Sequence, residues 1–307
     1  MFKLQRMGNA VLEPIKENLW ESQAVFNPAA IREGDHVHMI YRAVEGDNYS
    51  TLGYAKLNRS GKIIERWPQP ILRREAPYEQ RGVEDPRLAK FDGRYYLVYV
   101  AFDSVTVRVC LASTTDFKKV EKHGIIIPDV WDKDAMFFPE LVKGKLILMH
   151  RIEPNIQLAF FNDLEHLLKP EKDYWLKHLT ALDKYTAMRP QYWWEAKKIG
   201  GGVPPIPTKE GWLVIYHGVD DKLVYRAGAA LLDYEDPLRV LARFPNPILE
   251  PERPFEKIGD VPNVVFPTGT ALFDDELLIY YGGADRAIGL ATCRMSEILH
   301  ELKRHKV

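Results

Sequence analysis

The chain has 307 residues, of which 46% are hydrophobic, and a formal net charge of −1 at pH 7. This composition can fill a core and excludes an intrinsically disordered chain, and the near-zero charge gives no reason to expect nucleic acid or a membrane surface as a partner. Two cysteines without metal-ligand spacing predict neither a disulfide framework nor a metal site. Because no apolar stretch reaches signal-peptide or membrane-span length, we expect a cytoplasmic protein.

Five stretches of the chain share one pattern: a proline, a short apolar run, a polar turn and a strand rich in aliphatic residues and tyrosine. They lie at 26–44, 82–103, 137–153, 203–219 and 266–284. The prolines taken as common anchors are Pro28, Pro86, Pro139, Pro205 and Pro267. A second alternating segment follows each stretch, as in "STLGYAKL" and "VRVCLAST". Such repeated period-two strands predict antiparallel sheet units.

Five sheet units of this length predict an all-β fold, and specifically a five-bladed β-propeller in a single domain, 1–307. A long β-sandwich is the alternative. Helical patterning is confined mainly to 164–187 and the tail "SEILHELKRHKV". We expect the first as a short helical insertion between the third and fourth units and the second as a C-terminal helical tail.

Matching positions of different units should converge at one end of the channel. The residues that precede the anchor prolines are Asn27, Asp85, Phe138, Pro204 and Phe266. The matching residues at the strand ends are Arg42, Val100, Arg151, His217 and Gly282. This alignment predicts one carboxylate, Asp85, facing a cluster of positive charge. Both features also have explanations without a function. Asp85-Pro86 could simply mark the start of a strand. The cationic side chains could form ordinary ion pairs with Glu84, Glu140 and Glu153.

Several motifs resemble glycoside hydrolase family 130, the β-mannoside phosphorylases and related β-mannosidases, from about residue 20 to residue 295. The motifs are "FNPAAI", "GVEDPRL", "KDAMFFPE", "MHR", "KKIGGGVPPI", "GWLVIYHGV" and "YYGGADRAIGLAT". The resemblance implies a five-bladed propeller with Asp85 as general acid. It further implies phosphate binding by Arg151, Lys198, His217, Lys133 and Asn27. Contacts to the mannosyl unit are implied for Arg42, Arg87, Asp134 and Asp285. Residue 133 is commonly arginine in these phosphorylases, and lysine keeps the charge but not the bidentate fork.

The resemblance implies an inverting phosphorolysis of a terminal β-mannoside, β-1,2- or β-1,4-linked, that gives α-mannose 1-phosphate. A phosphorylase needs an acid and a cationic pocket, whereas an inverting hydrolase needs a second carboxylate about 6.5–9.5 Å from the first. A β-mannosidase with Glu140, Glu153 or Asp134 as base is the first alternative, and a non-catalytic carbohydrate-binding propeller is the second. The expected partners are a manno-oligosaccharide and inorganic phosphate as co-substrate, with no cofactor and a possible homo-oligomer.

Overall fold

The computed structural model describes residues 2–128 and 130–307. Antiparallel strands dominate these residues, so the all-β prediction is confirmed. The chain begins with a short strand, β1 (Gln5–Arg6), and then forms successive sheet units. Each unit is a meander, as expected for alternating apolar and polar residues joined by Gly/Asp turns.

The first two units are four-stranded meanders. The first contains β2 (Ala24–Glu33), β3 (His36–Glu45), β4 (Tyr49–Asn58) and β5 (Ile63–Arg66). The second contains β6 (Gly82–Phe91), β7 (Arg94–Phe102), β8 (Val107–Thr114) and β9 (Glu121–Ile125). A parallel bridge between Ser50 and Gly82 connects them, so that the two meanders count as one larger sheet.

The remaining units are separate sheets. The third contains β10 (Lys133–Phe137), β11 (Leu146–Arg151), β12 (Ile156–Phe161) and β13 (Thr186–Met188). The fourth contains β14 (Lys198–Gly201), β15 (Ile206–Thr208), β16 (Gly211–Val219), β17 (Tyr225–Leu232) and β18 (Val240–Arg243). The fifth contains β19 (Val265–Phe273), β20 (Glu276–Gly283) and β21 (Ala287–Arg294), and β1 pairs with β21 as its fourth strand.

The helices lie where the sequence predicts them, with one correction. They are α1 (Leu164–Leu168), α2 (Tyr174–Thr180), α3 (Pro254–Lys257) and α4 (Met295–Leu302). Because β13 pairs with β12, the insertion that holds α1 and α2 lies inside the third unit, not between the third and fourth. The tail helix α4 buries Ile298 and Leu302 against the fifth and fourth units. Within the described ranges, no helix is long and apolar enough to cross a membrane.

Apolar cores lie between successive units. Among residues 2–128 and 130–307, one such cluster joins each unit to the next, and another joins the fifth unit to the first. The fully buried Trp194 and Trp212, for example, lie in the cluster between the third and fourth units. Each fully buried large apolar side chain contributes about 1.5–3 kcal/mol, so these clusters fix neighbouring units against each other.

An irregularity in the first strand of three units places the key side chains. The pairing register shifts at Asn27, Asp85 and Asp134, and all three have a left-handed backbone, with φ of 45°, 48° and 54°. Asp and Asn adopt this conformation more readily than most residues. The position equivalent to Asp85 in the third unit is therefore Asp134, not Phe138. The proline alignment is wrong there because Pro139 follows β10 instead of starting it.

Candidate active site

A cavity of about 230 Å³ is lined by residues from all five units. Its lining includes every sequence-predicted site residue except Arg87, namely Asn27, Arg42, Asp85, Lys133, Asp134, Arg151, Lys198, His217 and Asp285. The strand-end alignment is correct, because Arg42, Arg151 and His217 pair across from equivalent first-strand positions. Residues up to 258 positions apart in the chain are thus brought to one small volume.

Arg87 lies behind the lining and supports it. Its side chain is 1% exposed, and its Nη1 donates to the backbone oxygen of Asp85 at 3.0 Å. Its Nη2 lies 3.5 Å from Asp134 Oδ1, and its Nε donates to the backbone oxygen of Gly202. Arg87 therefore connects Asp85 and Asp134, the two carboxylate residues with a left-handed backbone.

One side of the cavity, the acid wall, consists of Asn27, Arg42, Asp85 and Asp285. Asn27 Nδ2 donates to Asp85 Oδ1 at 2.9 Å, and Arg42 Nη1 donates to the same oxygen at 3.4 Å. Arg42 Nη2 also donates to Glu84 Oε1 at 2.8 Å. Burial by itself would raise the pKa of Asp85, but the charge of Arg42 and other nearby cations outweighs it and holds that pKa below its ordinary value. Without a ligand, Asp85 is therefore ionised.

Asp285 behaves in the opposite way. Burial, with smaller contributions from the negative charges of Asp85 and Asp260, raises the pKa of Asp285 to about 7, although Arg42 opposes the shift. The environments of the two acid-wall carboxyl groups thus push their pKa values apart. Pairs of this kind are typical of sites that handle protons.

A second group of lining residues, the basic wall, consists of Lys133, Asp134, Arg151, Lys198 and His217. Arg151 Nε lies 3.0 Å from Asp134 Oδ2, and His217 Nε2 lies 3.6 Å from the same oxygen. Positive charge, from Arg151 above all, holds the pKa of the buried Asp134 below its ordinary value although burial acts to raise it. The prediction of a single aligned carboxylate is wrong, because Asp134 occupies the position equivalent to Asp85.

His217 is neutral rather than cationic. Burial lowers the pKa of His217 to about 3, with Arg151 and Arg87 adding to the effect and Asp134 opposing it. The ring can therefore offer one donor and one acceptor to a ligand. Gly200 makes this packing possible, since a Cβ at that position would overlap the His217 ring and the Asp134 carboxylate.

Glu153 lies between two cations of the basic wall. Its Oε1 accepts from Lys198 Nζ at 2.6 Å and from Arg151 Nη1 at 3.1 Å, and its side chain is 41% exposed. These contacts hold the pKa of Glu153 below its ordinary value, against the effect of burial. Glu140 is instead exposed and accepts from the hydroxyl of Tyr234 at 2.8 Å, outside the cavity lining. Glu140 is therefore removed as a candidate base.

The cavity concentrates buried polar atoms that have no hydrogen-bond partner. Over the described ranges these include Asn27 Oδ1, Arg87 Nη2, Asp134 Oδ2, Arg151 Nε and His217 Nδ1. Leaving such groups unpaired is costly, so their clustering is the arrangement expected of a site that is completed by a polar ligand. In the same part of the chain, no group of three or more His, Cys, Asp or Glu side chains is placed to hold a metal ion.

Sequence reasoning missed the apolar part of the lining. Trp131, Tyr225, Val261, Val264 and Phe266 all line the cavity, and the Phe266 ring centroid lies 4.4 Å from that of His217. The Trp131 side chain remains 53% exposed. Phe266 is one of the aligned residues before the anchor prolines, and its aromatic ring is a signal for a place in the lining. Trp131, Val261 and Val264 lie outside the aligned stretches and carry no repeated signal.

Comparisons with known proteins find relatives that match nearly the whole chain. A family model for glycoside hydrolase family 130, described as beta-1,4-mannooligosaccharide phosphorylase, matches residues 5–304. The chain is 43% identical to a 1,2-beta-oligomannan phosphorylase of Thermoanaerobacter sp. (strain X514), covering 97% of this chain and 99% of that protein. A beta-1,2-mannobiose phosphorylase of the same strain is 41% identical, with coverage of 97% and 99%. The structure of a Listeria innocua beta-1,2-mannobiose phosphorylase in complex with beta-1,2-mannobiose superimposes with a TM-score of 0.80 at 26% identity, covering 96% of this chain and 99% of that one.

Proposed function

The chain belongs to glycoside hydrolase family 130, and on this premise we propose that it is a mannoside phosphorylase that cleaves a terminal β-mannoside with inorganic phosphate. The observation that carries the proposal is the shared cavity, whose lining includes Asp85 together with Arg151, Lys198 and His217. The named relatives make β-1,2-linked mannobiose and short β-1,2-mannans the preferred substrates of this proposal. Neither alternative, a mannosidase or a non-catalytic propeller, is favoured by these phosphorylase relatives.

We further propose that the five units are the blades of a single propeller around this cavity. In support, β2 contacts β6, β6 contacts β10, and β10 contacts β14. Contacts between β16 and β19, and between β19 and β2, return the series to its start. The apolar cluster between the fifth and first units agrees with such a ring. The cytoplasmic location and the oligomeric state stay predictions.

Phosphate is proposed to bind at the basic wall. Arg151 and Lys198 offer positive charge, and neutral His217 offers a hydrogen bond. Lys133 of the basic wall lies 4.0 Å from Glu84, the neighbour of Asp85, so its charge can act on both the anion and the acid. The Glu153 carboxylate pairs with both Arg151 and Lys198, so phosphate must compete with it for these cations. No cofactor other than this co-substrate is needed by the reaction.

The proposed reaction is a single displacement with inversion. A phosphate oxygen bonds to C1 of the mannosyl unit as the C1–O glycosidic bond breaks, and Asp85 supplies the proton that the leaving oxygen takes up. Because Asp85 is ionised in the free site, it must gain a proton when the substrates bind. The negative charge of phosphate bound near Lys133 would raise the pKa of Asp85 and so favour this protonation. After the transfer Asp85 is again a carboxylate, and it takes up another proton from solvent when the next substrates bind.

The mannosyl unit would lie between the two walls. Asn27, Arg42, Asp134 and Asp285 supply hydrogen-bonding groups of the type that sugar hydroxyls need, with Arg87 holding two of their strands from behind. The cavity of about 230 Å³ is small, which favours one sugar ring and an anion inside. The rest of the oligosaccharide would extend past the exposed Trp131.

The direct test is incubation with β-1,2-mannobiose in the presence and absence of inorganic phosphate. We expect α-mannose 1-phosphate and mannose only when phosphate is present. Equal mannose release in both samples would identify a hydrolase, and an absence of product with any manno-oligosaccharide would leave only a binding protein. Parallel reactions with β-1,4-mannobiose test the linkage.

A further inference from the structure

A buried hydrogen-bonded group recurs on the second long strand of four units. In each, a tyrosine hydroxyl donates to a buried glutamate at 2.6–2.8 Å, and that glutamate pairs with an arginine or lysine at 2.6–2.9 Å. The groups are Tyr41–Glu21–Arg66, Tyr99–Glu79–Lys122, Tyr216–Glu195–Arg243 and Tyr281–Glu256–Arg6. Each tyrosine directly precedes the aligned strand-end residue of its unit, which is Arg42, Val100, His217 or Gly282. This strand-end position is called the cavity-level position. In each group the arginine or lysine offsets the cost of burying the glutamate.

The third unit has a different group at this position. His150 replaces the tyrosine, and its Nδ1 lies 2.6 Å from Asp132 Oδ2. Its Nε2 lies 2.9 Å from Nε2 of His178, which comes from α2 in the helical insertion. All three side chains are at most 2% exposed. Where the other units supply an arginine or lysine, this one supplies an imidazole.

The group of His178, His150 and Asp132 ends at the basic wall of the cavity. Asp132 Oδ1 accepts the backbone N–H of Arg151 at 3.0 Å, and Asp132 directly precedes Lys133. The insertion is therefore connected by three hydrogen bonds, through His178, His150 and Asp132, to the backbone of a basic-wall residue. In the second unit, by contrast, the cavity-level residue is Val100, which is not part of the lining.

The proton positions in the group follow from donor and acceptor chemistry. An ionised Asp132 can only accept, so His150 Nδ1 must carry a proton. Burial, and secondarily the neighbouring His150, lowers the pKa of His178 to about 3, which leaves its ring neutral. With its single proton on Nε2, His178 donates to His150 Nε2 and fixes the tautomer that His150 presents to Asp132.

We propose that His178, His150 and Asp132 act as positioning residues for phosphate binding, by holding Arg151 in the place where its guanidinium meets the anion. The inference rests on the proposed function, in which Arg151 binds phosphate. Displacements of about 1 Å in such groups can cost about 10²-fold in rate, so residues that position Arg151 without touching the ligand can matter. The helical insertion thereby contributes to the site without lining it.

The test compares His178→Phe with His178→Gln in steady-state phosphorolysis. Phenylalanine keeps the packing against Tyr185, whose ring centroid lies 4.4 Å from that of His178, but cannot hydrogen-bond to His150. We expect the KM for phosphate to rise about tenfold in His178→Phe, as for other supporting hydrogen bonds around ligand groups. Glutamine can still donate to His150 and should keep a KM for phosphate close to that of the unsubstituted protein. The KM for β-1,2-mannobiose should stay unchanged in both.

Tyr99→Phe is the matched control, because it removes a buried hydrogen bond to Glu79 next to a residue outside the lining. It should lower the Tm and leave the KM for phosphate unchanged. If His178→Phe does the same, the group is merely structural and the inference is wrong. If His178→Phe does not fold, Asp132→Asn tests the other end, and an unchanged KM for phosphate there overturns the inference. Absence of phosphorolysis by the unsubstituted protein would instead refute the proposed function.

Discussion

The two walls of the cavity are completed to different degrees. In the acid wall, the Asp85 carboxylate already receives hydrogen bonds from Asn27 and Arg42. In the basic wall, Arg151 Nε and Asp134 Oδ2 contact each other as an ion pair at 3.0 Å but not with hydrogen-bond geometry, and His217 Nδ1 is buried without a hydrogen-bond partner within the described residues. Each such group costs about 1–3 kcal/mol when left unpaired. The Asp85 carboxylate is therefore held before the ligand arrives, although Asn27 Oδ1 in the same wall lacks a hydrogen-bond partner in the described part of the chain. The basic wall leaves more of its hydrogen bonding for the ligand to complete.

This difference predicts that substitutions in the two walls change different kinetic constants. Acid-wall changes should act on kcat, because Asp85 is needed when the bond to the leaving oxygen breaks. Basic-wall changes should act first on the KM for phosphate, because those groups hold the anion in the ground state as well. Interchange of the two effects would contradict the assignment of roles.

Asp85→Asn should have the largest effect. The amide keeps the shape and the left-handed backbone but supplies no acidic proton, so kcat should fall about 10²–10⁴-fold with little change in KM. Asp92→Asn is the control, because Asp92 is also left-handed, with φ of 51°, but lies outside the cavity lining. Initial rates of mannose 1-phosphate formation measure both, and an unchanged kcat in Asp85→Asn would remove Asp85 from the role of acid.

Arg151→Met should raise the KM for phosphate about 10- to 100-fold, the usual range for losing a charged hydrogen bond. The KM for β-1,2-mannobiose should change much less. Arg108→Met serves as the control, since Arg108 pairs with Asp103 at 2.9 Å away from the lining. If a phosphate titration of Arg151→Met gives the same KM for phosphate as the unsubstituted protein, the anion binds elsewhere.

The sequence predicts the polar residues of both walls and the framework of strand units. Each strand must bury one of its two faces, and this requirement produces an alternation of apolar and polar residues that is visible in the local sequence. Arg42, Arg151 and His217 are found because strand ends align them directly. The helical insertion is also visible locally, whereas its position inside the third unit depends on the long-range pairing of β12 with β13.

The errors come from using proline as the marker of register. The actual requirement is a residue that tolerates a left-handed backbone at the bulge, and an Asp satisfies it without a following proline, as Asp134-Ala135 shows. The charge state of His217 could not be read either. It depends on burial beside Arg151 and Arg87, which only the assembled units provide. The His150 group gave one signal that was overlooked, a histidine where four units have tyrosine.

His217 and Asp285, one from each wall, should respond to pH in opposite directions. The pKa of His217 falls to about 3 in the fold, so its contribution to stability is present above about pH 6.5 and is lost as pH falls toward 3. The pKa of Asp285 rises to about 7, so its contribution is present below about pH 4 and is lost as pH rises toward 7. Each group should change the free energy of unfolding by about 1 kcal/mol per pH unit within its window.

Urea unfolding at pH 4, 5.5, 7 and 8 measures these slopes in the unsubstituted protein and in two variants. His217→Gln should reduce the loss of stability on acidification, and Asp285→Asn should reduce the loss on raising the pH toward 7. Identical slopes in all three proteins would show that neither group carries the shifted pKa.

Glu153→Gln should tighten phosphate binding. The carboxylate accepts from both Lys198 and Arg151, so removing its charge removes an internal competitor of the anion. We expect the KM for phosphate to fall about three- to tenfold. If Glu153 were the base of a hydrolase, the same substitution would instead abolish mannose release in the absence of phosphate. Glu140→Gln, outside the lining, should change neither quantity.

Trp131→Ala should have the smallest effect and should act on neither wall. Its ring is 53% exposed at the cavity lining, where it can stack on the sugar that follows the cleaved mannose. Losing such a contact, worth about 0.5–1.5 kcal/mol, should raise the KM for the oligosaccharide about two- to tenfold and leave the KM for phosphate unchanged. Trp193→Ala is the matched control, because Trp193 is 59% exposed but packs under Arg226 outside the lining. Equal effects of the two substitutions on the oligosaccharide KM would mean that general surface change, not stacking at the mouth, accounts for the result.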